Sequence, residues 1–264
     1  MPSALLLAEM TREQVRTLAP GATVVLPTGA IEQHGPHLPL QVDTATCVAV
    51  CERAAALASA EVPVCVAPAL PFGYSRMNLP LPGVLTLEAA TFVQVVRELG
   101  ESLFRSGFRR IAILNGHRPN DELIRVAARE LNERLPVSVA AASYWTIAWP
   151  ALSELAAARA LRRLPGHAGA FETALTLALR PDLVDRAALA GDLEDAPGQI
   201  AGRQHLDAAV FLVGQRMGDG PGCTDDPAAA TAEEGQRYLD AIVRAVAAFL
   251  VAFHRQHPAE TMPS

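Results

Sequence analysis

Four short apolar runs, Thr23–Leu26, Pro63–Ala67, Arg110–Leu114 and Val137–Ser143, alternate with helical periodicity at Thr44–Ser59, Leu87–Ser106 and Pro119–Leu135. No other feature constrains the fold as strongly. Mostly apolar runs of strand length that alternate with helices bury both faces and pair in parallel, with the helices covering the sheet. The expected architecture is therefore a three-layer α/β/α sandwich around a mostly parallel sheet. After Trp149 the pattern turns helical, with Ala151–Arg163, Ala168–Leu179, a short helix at Asp182–Ala190 and a long amphipathic helix at Glu233–Gln256. Gly214–Pro227 is rich in Gly, Pro and Asp and reads as a surface loop. No repeat or linker-like tract interrupts the chain, so residues 1–264 are read as a single domain.

The charged residues gather where the apolar runs stop. Pro27 and Gly29 end the first run, and Glu32, His34, His37 and Asp43 follow within a few residues. Open α/β sheets bind ligands at such strand ends. Glu32 and His34 are two apart and point the same way on extended chain. Carboxylates and imidazoles at this density have the composition of a metal site. A second apolar run ends at Asn115-Gly116-His117, and Pro119 behind it suits the first turn of a helix. A third segment, Gly166-His167-Ala168-Gly169-Ala170-Phe171-Glu172-Thr173, opens another helix, where its dipole favours negative charge. Of the seven histidines, His34, His37, His117 and His167 lie in these Gly-containing loops. His254 and His257 fall on the tail of the last helix and are expected to be solvated.

Composition excludes several functions. Half of the residues are apolar and 19% are charged, enough for a sizeable core. The net charge of -6 argues against nucleic acid as a partner. All 22 basic residues are arginine, so Schiff-base, P-loop and kinase-type lysine chemistry is ruled out. Cys47, Cys51, Cys65 and Cys223 form no Cys-x-x-Cys pair and read as small core residues in a reducing cytoplasm. The N-terminus lacks a basic segment before its apolar stretch, so no signal peptide is read there. The longest apolar stretch, Ala241 to Phe253, contains Arg244 and is too short to span a membrane. A serine hydrolase is disfavoured because Met77 stands where the nucleophile elbow around Ser75 needs glycine. A metal-free scaffold is the other competing reading, and the loss of a metal-ligand position would mark it.

The blocks Glu32-x-His34-Gly35-x-His37-Leu38-Pro39-x-x-x-Asp43, Asn115-Gly116-His117 and His167-Ala168-Gly169-x-x-Glu172-Thr173, in this order, resemble the creatininase-like amidohydrolases. The resemblance implies hydrolysis of a C–N bond in a small cyclic amide, lactam or formamide by a hydroxide bridged between two divalent cations. Members that mature a modified peptide, as in mycofactocin synthesis, supply the alternative of a metallopeptidase. The resemblance also implies a homo-oligomer, hexameric in many members. It carries the first-metal ligands to Glu32, Asp43 and His117, with Asp43 bridging, and a second-metal ligand to His34. Creatininase itself has a Glu two residues after the His of Asn-Gly-His, where this chain has Pro119. The missing ligand is therefore carried to Glu172, which is also a catalytic candidate. His167 matches a His that handles substrate or protons, and is the candidate to protonate the leaving nitrogen. Carboxylates with imidazoles suit zinc, manganese or iron, and the choice stays open.

Four further positions are substrate-binding candidates alongside Arg118. Met77 and Asn78 occupy places where many members carry a Glu and a His near the substrate, which leaves Asn78 as the polar contact there. Tyr144, Trp145 and Trp149 follow the fourth run and include both tryptophans of the chain. They read either as core or interface packing or as an aromatic lid over a flat substrate. Arg118 reads either as a solvated side chain or as a fork for a substrate carboxylate or phosphate.

Overall fold

The computed structural model describes residues 5–161, 164–189 and 222–256. In chain order the elements are β1 (Leu5–Leu6), α1 (Arg12–Leu18), β2 (Thr23–Thr28), α2 (Val42–Ala58), β3 (Val64–Val66), α3 (Ala89–Arg105), β4 (Arg110–Asn115), α4 (Asp121–Arg134), β5 (Ser138–Ser143), α5 (Tyr144–Leu152), α6 (Ala156–Ala160), α7 (Ala170–Leu179) and α8 (Ala232–Gln256). The strands form one sheet in the order β1-β3-β2-β4-β5, and every pairing is parallel.

Strand alternation sorts the core into two layers. In β2, Val25 enters one cluster while Val24 and Leu26 enter the other, and in β4 Ala112 and Leu114 oppose Ile111 and Ile113. The first cluster is completed by α2, α5, α7 and α8, the second by α1, α3 and α4. The result is the expected three-layer sandwich. From β2 the chain passes through α2 to β3 on one side and then crosses to β4 on the other. The crevice beyond the C-terminal ends of β2 and β4 is thus the switch point of the sheet, where such folds bind ligands.

Several local expectations change. The helix read across Ala151–Arg163 is broken: α5 starts earlier, carries Pro150 inside it, and ends at Leu152 before the short α6. Pro150 costs α5 one hydrogen bond in the turn before it, and the helix ends two residues later, where Ser153 Oγ donates to the Pro150 carbonyl at 2.8 Å. The helix expected at Asp182–Ala190 is a single 3-10 turn, Pro181–Leu183, and Ala190 lies outside the described residues. Of the loop read as Gly214–Pro227, residues 214–221 lie outside the description, whereas Cys223, Thr224 and Asp225 are buried rather than on the surface. His254 is half-buried, with its Nδ1 3.0 Å from Thr23 Oγ1; His257 is not among the described residues. Cys47 and Cys51 are buried free thiols in the core, as read. Among the described residues no helix is long and apolar enough to cross a membrane.

Candidate metal centre

The loop after β2 is closed on itself. The Glu32 N–H donates to the Leu40 carbonyl at 3.0 Å, and Ile31 pairs with Leu85 in an isolated antiparallel bridge. Gly35 takes a φ of 64°, the left-handed turn that lets the chain reverse. This folding returns Asp43, in the first turn of α2, to the side of Glu32 and His34. His117 caps the 3-10 turn Arg118–Asn120 beyond β4, with Pro119 inside that turn. Glu172 lies in the first turn of α7, where its Oε2 accepts the Ala168 N–H at 2.6 Å.

Two triads result. Ligand atoms of Glu32, Asp43 and His117 lie within 4.8 Å of one another, and so do those of His34, Asp43 and Glu172. His117 Nδ1 is 2.9 Å from Asp43 Oδ2 and 3.6 Å from Glu32 Oε1. His34 Nε2 is 3.3 Å from Asp43 Oδ1 and 3.7 Å from Glu172 Oε2. All five side chains are buried.

The far sides of the two rings are occupied. His34 Nδ1 donates to the Glu32 carbonyl at 3.1 Å, and His117 Nε2 donates to the Tyr74 carbonyl at 3.0 Å. Each ring thereby turns its other nitrogen toward Asp43, the arrangement in which histidines ligate metals. His34 Nε2 and Asp43 Oδ2 are buried without a hydrogen bond. Burial opposes charge on these rings, yet the surrounding carboxylates, Asp43 foremost for His34 and Glu32 for His117, raise them to about 10 and about 9. Burial likewise opposes ionisation of Asp43, but His34 and His117 hold it well below the usual carboxylate range. Glu172 is pushed up to about 8 by burial, with Asp43 and Glu32 adding to it against His34 and the Ala168 N–H. A cluster that draws positive charge while leaving a facing nitrogen and oxygen without hydrogen bonds fits divalent cations.

His167 borders the same cluster. Its Nδ1 is 3.3 Å from Glu32 Oε1, and its ring centroid is 4.4 Å from that of His34. Glu32, His34 and His167 form a further group of converging ligand atoms. Burial, then the charge of His34, lowers His167 to about 4. Its loop is held from outside the motif: the His167 N–H donates to Thr224 Oγ1 at 2.8 Å, and the Thr224 N–H donates to the His167 carbonyl at 2.9 Å.

The other candidates are placed unequally. Asn78 is buried beside the cluster, where its Nδ2 donates to Glu32 Oε2 at 2.8 Å. Arg118 pairs with Glu122, one helical turn on, at 2.9 Å. Tyr144 and Trp145 are buried in the core, edge to face at 4.9 Å, and Trp149 packs half-buried against the same cluster. His37 is buried with its Nε2 2.9 Å from Thr173 Oγ1, next to Glu172. Sequence reasoning missed Gln33, whose amide reaches both His167 and Asn78. Strand periodicity sets Gln33 opposite to Glu32 and His34, whereas in the structure its carbonyl accepts the Gly35 N–H at 2.9 Å and its NH2 group faces Asn78 and His167. It also missed Thr224 and Asp225, whose Gly- and Asp-rich context resembles solvated loop.

Comparison with known proteins agrees with this geometry. The creatininase family, described as creatinine amidohydrolase, matches residues 8–250. The creatinine amidohydrolase of Pseudomonas putida is 32% identical over 262 residues, covering 94% of this chain and 96% of the relative. The mycofactocin precursor peptide peptidase of Mycolicibacterium smegmatis is 29% identical over 249 residues, covering 91% and 88%. A manganese creatininase structure aligns with a TM-score of 0.78 at 27% identity, covering 97% of this chain and 99% of that one. A Glu-to-Gln creatininase complexed with creatine aligns with a TM-score of 0.78 at 28% identity and the same coverage.

Proposed function

The chain belongs to the creatininase family, and from that premise we propose a metal-dependent amidohydrolase that cleaves a C–N bond of a cyclic amide, lactam or formamide in a small molecule. The observation that carries the reading is the pair of buried triads sharing Asp43 at the switch point of the sheet. Glu32, His117 and Asp43 would hold one cation, and His34, Glu172 and Asp43 the other. Zinc, manganese or iron, when bound there, would supply the Lewis acidity that acidifies water and polarises a carbonyl. Glu172 takes the place of the carboxylate that Pro119 cannot provide. Asn78 holds Glu32 in register through its 2.8 Å hydrogen bond. His167 carries the proton to the leaving nitrogen, a step the reaction needs because an amide anion is a poor leaving group. A relative of known structure complexed with creatine supports a small-molecule substrate.

A second reading, a metallopeptidase acting on a modified peptide, is favoured by the peptidase relatives at 29% identity over most of the chain. It also suits the apolar side chains exposed near Glu32: Met77 precedes Asn78, and Leu85 pairs with Ile31. The test is product analysis with zinc- or manganese-supplied protein on lactams, formamides, cyclic ureas and short peptides. Opening of a cyclic or formyl amide with peptides left intact supports the first reading. Cleavage of peptides alone transfers the assignment to the second. Metal-loaded protein inert on every substrate would remove both.

A further inference from the structure

Gln33 lies between two metal-ligand candidates, yet its amide belongs to neither triad. Its side chain is buried, and both ends of its amide are engaged. Oε1 accepts the Gly35 N–H at 2.9 Å. Nε2 reaches Asn78 Oδ1 at 3.3 Å and His167 Nε2 at 2.9 Å. Gly222, at a φ of 77°, makes room for this amide, since a methyl group there would overlap Gln33 Oε1.

The direction of these bonds is fixed at two independent places. The Glu32 carboxylate only accepts, so Asn78 must present its NH2 group to it and its carbonyl to Gln33. The Gly35 N–H only donates, so Gln33 must present its carbonyl to Gly35 and its NH2 group elsewhere. Both anchors give the same orientation. Turning the Gln33 amide over would set its NH2 group against the Gly35 N–H. Turning Asn78 with it would set carbonyl oxygen against carboxylate. An amide NH2 nitrogen has no lone pair to offer, so at 2.9 Å His167 Nε2 is the acceptor. The single ring proton of neutral His167 is then on Nδ1, the nitrogen 3.3 Å from Glu32 Oε1.

We infer that Gln33 is a positioning residue that locks His167 in its Nδ1–H tautomer, so that the ring gives its proton from Nδ1, on the side of the metal centre, and as imidazolate regains one at the same nitrogen from the water consumed in hydrolysis. Histidine tautomers are set by what the remote nitrogen meets, and a donor there forces the proton to the near one. The lock itself stands on the hydrogen-bond chain alone. Its catalytic consequence rests on the reading of His167 as the proton carrier.

The test is a histidine-ring 15N–1H correlation spectrum of 15N-labelled, zinc-supplied protein, with the His167 signals assigned by their loss in His167→Asn. Wild type should show a proton on Nδ1 and a bare Nε2. Gln33→Met keeps the bulk but removes the donor, and should populate both tautomers. Gln33→Glu keeps the oxygen for Gly35, offers His167 an acceptor, and should place a proton on Nε2. Should the Met variant fail to fold, the near-isosteric Glu variant still decides. A wild-type proton on Nε2, or variants whose His167 pattern matches wild type, would overturn the inference. Turnover is read separately on any substrate found: Gln33→Glu should lower kcat by about a hundredfold, within the usual 10²–10⁴ share of general acid–base catalysis. The expected spectra with unchanged kcat would leave the lock standing and remove His167 as proton carrier.

Discussion

Replacing Glu172 with Gln should separate the two metal sites. The change keeps the volume, and the amide oxygen can still accept the Ala168 N–H that Glu172 Oε2 now takes at 2.6 Å. Burial pushes Glu172 up to about 8, so near pH 7 a neutral amide replaces a mostly neutral carboxyl and the metal-free protein should lose little stability. The second triad, by contrast, keeps only His34 and Asp43. Disturbing a group that merely supports a ligand costs ten- to a hundredfold in metal affinity, so loss of a ligand should cost at least about a hundredfold. At a free metal concentration of about 100 times the wild-type dissociation constant, a filled site adds roughly 2.7 kcal/mol of stability. A hundredfold weaker site adds only about 0.4 kcal/mol under the same conditions. The missing 2.3 kcal/mol or so corresponds to roughly 5–9 °C in Tm for a chain of this size. The assay pairs elemental analysis with melting curves of both proteins across a zinc or manganese titration. Metal content should fall from two to one per chain, and the metal-dependent rise in Tm should shrink by that interval. A variant that keeps two metals per chain and the full rise would refute Glu172 as a ligand, and with it the argument that it compensates for Pro119.

Asp43→Ala should deplete both sites together, because its two oxygens face His34 and His117 separately; metal content above one per chain would contradict the bridging role. Arg118→Ala removes an exposed pair with Glu122 worth about 0.3–0.5 kcal/mol, so Tm should barely move. If its fork also clamps an anionic substrate, KM should rise about ten- to a hundredfold on that substrate and stay unchanged on the neutral analogue; equal losses on both, or none, would dismiss the clamp. Gly235→Ala places a methyl group against the Ala174 carbonyl, where α8 crosses α7, and should destabilise by about 1–3 kcal/mol in chemical denaturation. A neutral result would mean that the two helices separate without loss.

The sequence by itself determined the sheet and the order of the chemistry along it. Strand period, helix period and the Gly and Pro residues that punctuate them act over a few residues, so β2, β4 and the helices between them were legible. So were the loops of Glu32, His34 and His117 and the helix start of Glu172, because a strand end and a helix start are local events. The break between α5 and α6 was hidden by the surrounding helical pattern. Tertiary structure alone decided what meets what. The burial of Cys223, Thr224 and Asp225 depends on the His167 loop, which lies more than fifty residues away. The contact of His254 with Thr23 joins the two ends of the chain. Gln33 shows the same limit at short range: periodicity turns it away from its neighbours, and only the Gly35 N–H, with Asn78 and His167 arriving from other loops, gives its amide two fixed ends. Local pattern fixes a backbone conformation, but a buried hydrogen bond has direction, and that direction exists only once every partner is in place.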